Sequence, residues 1–131
     1  MQMDMDEVIA LDESDRVMLS SHGVHHINVG EWGADYESEI RDSALWLTRL
    51  TKKEPLTFVY PFGGSSPDSE EATRKYYRFG VKMMGPPFNT SDDPILVYRY
   101  FIERHTHIGA FERILKGAFD DPEVANYVPW T

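Results

Sequence analysis

The sequence contains no cysteine. A disulfide scaffold and a thiolate metal site are therefore excluded, and any bound metal must use His, Asp, Glu or water. Cysteine absence suits either side of a bacterial membrane, so the compartment stays open. Basic residues are also scarce, with 13 Lys and Arg against 22 Asp and Glu, for a formal net charge of −9. An acidic surface repels nucleic acid and anionic membranes, so neither is expected as a partner. No run of about 18 apolar residues occurs, so no membrane span is expected. The opening Met1-Gln2-Met3-Asp4-Met5-Asp6 is acidic and lacks the basic and apolar regions of a signal peptide. There is no internal repeat and no low-complexity segment.

What is present suits one packed domain across residues 1–131, with 41% hydrophobic and 13% aromatic residues. Residues 3–10 carry a weak helical signal. Val17-Met18-Leu19-Ser20 is a short apolar run that stops at a polar cluster, and it reads as a buried strand. Tyr36, Ile40, Ala44, Leu47 and Leu50 recur at spacings of three and four, so a helix is expected over Asp35–Thr51, capped by Asp35. Thr57-Phe58-Val59-Tyr60 reads as a second buried strand, closed by Pro61-Phe62-Gly63-Gly64. A second helix begins near Ser65–Asp68 and runs through Tyr77, with Pro67 in its first turn.

A third strand is expected over Gly80–Met84 and a fourth over Ile95–Ile102, across a loop at 85–94. A final amphipathic helix spans Ile108–Phe119, with Ile108, Phe111, Leu115 and Phe119 on one face, and the tail from Asp120 is irregular. Strands alternating with helices imply an α/β fold with a parallel sheet. Ligands in such sheets bind beyond the C-terminal ends of the strands. Two clusters, His22–His26 and Tyr60–Gly63, follow predicted strands and are expected to meet at one rim.

Three of the five histidines fall within residues 22–26. Four residues apart on a helical turn, His22 and His26 would share a face with Cβ atoms roughly 6 Å apart. Both neutral imidazoles could then reach one zinc ion at about 2.1 Å. His25 would point elsewhere, and Gly23 would permit the turn out of the strand. The plainer reading is a surface histidine cluster or a set of helix caps. Two ligands hold a metal weakly, and nothing local supplies the third that a catalytic zinc requires.

Ser20-Ser21-His22-Gly23-Val24-His25-His26-Ile27-Asn28 resembles the second motif of the polysaccharide deacetylase (NodB-homology, carbohydrate esterase) family, two histidines four apart after a strand. Glu39 to Leu50 resembles the helix that follows it there. Phe58-Val59-Tyr60-Pro61-Phe62-Gly63 is similar to the third motif, a Tyr-Pro-aromatic-Gly loop that walls the groove. Gly80–Met84 and Pro94–Leu115 extend the likeness, which covers about residues 15–118. The resemblance implies a partial, distorted (β/α) barrel, here with about four parallel strands and flanking helices. It implies metal-dependent hydrolysis of an N-acetyl group on an amino-sugar polysaccharide. His22 and His26 would bind zinc or a similar divalent ion, and the Phe62 backbone N–H would donate to the oxyanion. Tyr60, Pro61, Phe62 and Gly63 would line the sugar groove.

The sequence also departs from that pattern. The family's Thr-Phe-Asp-Asp-Gly motif supplies the general base and the third metal ligand, and no such motif occurs within these 131 residues. The first strand, first helix and second strand of the domain are expected to be missing. Val59 stands where the third motif often has arginine, and the family's Leu-x-x-His has no counterpart. His105 and His107 read as surface residues. Metal occupancy and activity are therefore expected to be impaired. A homo-oligomer or a complementing fragment is expected to cover the open sheet edge. The alternative is a catalytically inactive carbohydrate-binding or oligomeric structural relative. Members of the family often act outside the cytoplasm, although no export signal is visible here.

Overall fold

The computed structural model describes residues 3–14, 16–83, 93–100, 102 and 104–115. Its elements run α1 (Met5–Asp12), α2 (Tyr36–Thr51), β1 (Thr57–Val59), α3 (Pro67–Tyr76), β2 (Phe79–Met83), β3 (Val97–Arg99) and α4 (Ile108–Leu115). The expected strand over Gly80–Met84 is β2, one residue earlier. Met84 and most of the predicted 85–94 loop lie outside the described residues, as do Phe101 and the segment from Lys116 onward.

The three strands pair in the order β1-β2-β3, all parallel. Phe58 faces Gly80 in the first pair, and Val81 faces Val97 in the second. Parallel neighbours need a crossover, and α3 supplies the one between β1 and β2. The α/β class with a parallel sheet is thus as the alternation of elements predicts.

Helix starts follow the chemistry of their caps. Asp35 accepts the Ser38 N–H at the head of α2, at 3.2 Å. Ser66 and Ser69 cap α3 reciprocally, with Pro67 in the first turn. Asp4 and Glu7 form a capping box on α1, which is the weak helix expected near the start. The stripe on α2 buries Ile40 and Ala44 in a core with Val29, Phe58, Tyr60, Ala72, Tyr77 and Ile95, and Leu47 is buried on the same helix. Tyr77 and Ser43 join α2 to the end of α3 through a 2.9 Å hydrogen bond between their hydroxyls.

One expectation fails. Val17–Ser20 is not a buried strand: it has no regular secondary structure, Met18 is 60% exposed, and sheet pairing is confined to a parallel bridge between Ser21 and Phe58. The Ser21 N–H donates to the Thr57 carbonyl, and the Val59 N–H donates to the Ser21 carbonyl. Among the described residues no second ladder forms on the far side of this segment, and only Leu19 of its side chains is even half-buried. On the amphipathic face of α4, Ile108 and Leu115 are exposed and Phe111 is half-buried, while Phe119 lies outside the described residues.

Gly80 shows how tightly the sheet is filled. A Cβ there would lie 2.3 Å from the Ile95 carbonyl and 2.8 Å from the Tyr60 ring. Glycine is what lets β2 pass between them.

Candidate active site

Two loops form the rim beyond β1. The first, residues 22–33, leaves the sheet at the Ser21 bridge. The second begins with a 3-10 turn at Pro61–Gly63. They are pressed together: a Cβ on Gly30 would lie 2.6 Å from the Ser65 amide nitrogen, and one on Gly64 would run into the Asn28 side chain. Asn28 closes its own turn by accepting the Gly30 N–H at 3.1 Å.

The histidine pair sits on this rim, but not on a helix. Residues 22–28 are irregular, and His26 has φ 58°, in the left-handed region. That turn, rather than helical spacing, brings the rings together. The His22 and His26 centroids are 4.8 Å apart, and His26 lies 4.7 Å from the Phe62 ring. The His22 Nδ1 lies 2.6 Å from the Val59 carbonyl oxygen. A carbonyl only accepts, so Nδ1 carries a proton, and in the neutral ring Nε2 is left with its lone pair. A histidine ready to ligate has this arrangement, with one ring nitrogen donating to backbone and the other free.

The four groove residues expected from the sequence separate. Phe62 is 61% exposed, has φ 57°, and stacks obliquely on His26. Its N–H makes no hydrogen bond among the described residues. Gly63 is half-buried at φ 74°, against β2, where a Cβ would meet Met83 at 2.9 Å. Tyr60 does not line a groove: it is 0% exposed and belongs to the core. Strand alternation sends its side chain inward, next to Phe58 at 5.3 Å between centroids. Burial pushes its hydroxyl up to about 12, and the nearby Thr73 hydroxyl offsets this only in part. Pro61 is buried as well, so its ring cannot meet a sugar either.

Sequence reasoning missed Glu39. This carboxylate accepts the backbone N–H groups of Val24 and His25 and contacts the His25 ring. Burial raises its pKa, but hydrogen bonds from His25 and Val24 outweigh that and hold it below the usual carboxylate value. A signal for it existed. Glu39 and Ser43 fall on the same helical face as the apolar stripe, where an unpaired charge is costly. A second missed group lies below the tyrosine-proline loop, where the Lys82 Nζ reaches the Ser65 hydroxyl at 2.6 Å and the Glu70 carboxylate at 3.6 Å.

His105 and His107 are exposed and stand in the turn before α4. Among the described residues no group of three or more His, Asp or Glu is placed to hold a metal ion. No helix among them is long and apolar enough to cross a membrane.

No family model and no curated protein sequence matches the chain. Solved structures do. A Bacillus anthracis protein described as a polysaccharide deacetylase superposes with a TM-score of 0.72 at 22% identity, over 84% of this chain and 35% of that one. A polysaccharide deacetylase from Bacillus cereus gives 0.71 at 23% identity, over the same shares. The Streptococcus pyogenes deacetylase PplD, solved with acetate, gives 0.61 at 19%, over 72% of this chain and 42% of that one. The chain therefore spans about a third of the length of the first two structures. Its fold is thus similar to that of part of these polysaccharide deacetylase structures.

Proposed function

We propose that this chain belongs to a metal-dependent enzyme that hydrolyses N-acetyl groups from an amino-sugar polysaccharide. The observation that supports this most is the meeting of His22, His26 and Phe62 on the rim beyond β1, within a deacetylase-like fold. Poly-N-acetylglucosamine, chitin and peptidoglycan are the candidate substrates.

His22, through Nε2, and His26 are the proposed ligands, most simply for zinc. A divalent ion held there would polarise the acetyl carbonyl and lower the pKa of a bound water. The Phe62 N–H is the proposed donor to the developing oxyanion. Its exposed ring offers a flat wall to the apolar face of a sugar. Tyr60 and Pro61 act beneath this wall, holding the loop in place from the core.

The fit to a metal is partial. A hydrolytic zinc normally has three protein ligands, and the described residues bring two imidazoles together. Among the described residues no carboxylate joins the two imidazoles in a potential metal-holding group, so none is assigned as base for the nucleophilic water. General acid–base assistance is worth roughly 10²- to 10⁴-fold. The chain by itself is therefore proposed to be inactive or very slow.

Acetate release from chitin oligomers and poly-N-acetylglucosamine tests the reading, with zinc, nickel or cobalt added. Slow release that disappears in His22→Ala supports it. A preparation that retains no metal above background, and is indifferent to His22→Ala, sinks it.

A second reading is an inactive carbohydrate-binding or oligomeric relative. It draws on the exposed Val17, Met18, Leu45 and Trp46, which offer apolar surface for a second copy or a complementing fragment. Light scattering separates the cases, because a stable monomer counts against edge-mediated assembly.

A further inference from the structure

We infer that Glu39 is the positioning residue that sets His22 and His26 side by side. The inference rests on the proposed role of that pair as metal ligands.

The two histidines are held very differently. His22 is tied at both ends: its backbone follows the Ser21 bridge, and its Nδ1–H donates to Val59. The His26 ring makes no side-chain hydrogen bond among the described residues. Its place depends on the path of residues 23–25. That path is not one the backbone adopts unaided, since it begins at Gly23 with φ 84° and ends at His26 with φ 58°.

Glu39 grips the middle of this path. Its Oε2 accepts the Val24 N–H at 2.9 Å and the His25 N–H at 3.0 Å. Its Oε1 lies 3.1 Å from the His25 amide nitrogen and 2.7 Å from the His25 Nδ1. The Val24 and His25 backbone donors thus close on one side chain. That residue is 2% exposed and stands in the first turns of α2. The carboxylate also lies over Gly23, where a Cβ would come within 2.6 Å of Oε2. Glycine at 23 and the acid at 39 are therefore one device.

Helix packing alone does not account for this acid. An apolar residue on the buried face of α2 would cost less desolvation. The carboxylate makes sense through the loop it holds. Groups that orient metal ligands without touching the metal typically change affinity by about 10- to 100-fold when removed.

The test compares Glu39→Gln, which retains one acceptor oxygen, with Glu39→Met, which keeps the packing volume and removes both. Three measurements are made on the whole chain. Amide hydrogen exchange reads Val24 and His25, ring-to-ring NOEs read the His22–His26 separation without metal, and Co²⁺ titration reads ligand geometry through its visible absorption. For Glu39→Met we expect faster exchange at Val24 and His25 and loss of the ring NOE. Exchange at Ala44 and Leu47 should be unchanged, and Co²⁺ binding about tenfold weaker or more. Glu39→Gln should restore the NOE and most of the Co²⁺ affinity. Retention of the NOE in Glu39→Met overturns the inference, and so does global unfolding, which would make Glu39 a general support of the fold. If the wild type shows the NOE but binds no Co²⁺, the metal reading fails while the positioning role stands.

Discussion

Tyr60 separates what a motif suggests from what a strand allows. In a Tyr-Pro-aromatic-Gly stretch it reads as a groove residue, yet alternation along β1 turns it into the core. Its phenol supplies a test at high pH. The folded-state pKa, about 12, lies above the unfolded value near 10. The associated stability is therefore complete below pH ~10 and lost as pH rises towards ~12, a change of roughly 2–3 kcal/mol. Urea unfolding across that range should show the decline, and Tyr60→Phe should flatten it. At neutral pH the same variant should stay within about 1 kcal/mol of wild type, because the lost hydroxyl has no well-formed hydrogen bond. A variant that instead lost sugar binding with stability intact would return Tyr60 to the groove.

At the scale of elements, α2 and β2 carry the site without touching its chemistry. α2 presents Glu39 to the histidine loop, and its start depends on Asp35. Asp35→Ala should cost about 1 kcal/mol in chemical denaturation. A cost below about 0.3 kcal/mol would mean the cap is redundant. β2 sits between β1 and β3 with Gly80 at the crowded point. Gly80→Ala should destabilise by roughly 1–3 kcal/mol, as overpacked positions do, and thermal denaturation measures it. An unchanged melting temperature would show that Ile95 can move aside. The predicted boundaries of α2, β1 and α3 lie close to the observed ones because period and caps are local signals. The Val17–Ser20 strand fails because a strand needs a paired edge and a covered face, and neither is encoded in four residues.

For the whole molecule, the proposed metal site should be coupled to folding. Zinc at about a hundred times its Kd should stabilise the chain by about 2.7 kcal/mol, seen as a higher melting temperature. His22→Ala should abolish that shift and leave the metal-free melting temperature within a few degrees. An equal zinc shift in wild type and variant would assign the binding to other groups, such as the exposed His105 and His107.

The histidine pair shows how the determination divides. By itself the sequence specified α2, β1, α3 and β2 in alternation, the Asp35 cap, the two glycine-marked loops and the presence of His22 and His26 in the first of them. Those features depend on neighbours a few residues away. Only the tertiary structure decided that the histidines meet through a left-handed turn instead of a helix, and that Val59 fixes the tautomer of His22. It alone showed that Glu39 reaches across from α2, 14 and 15 residues along the chain, to hold the turn between them. Hydrogen bonds of that span depend on how α2 packs against the sheet, and no local pattern of residue types records that packing.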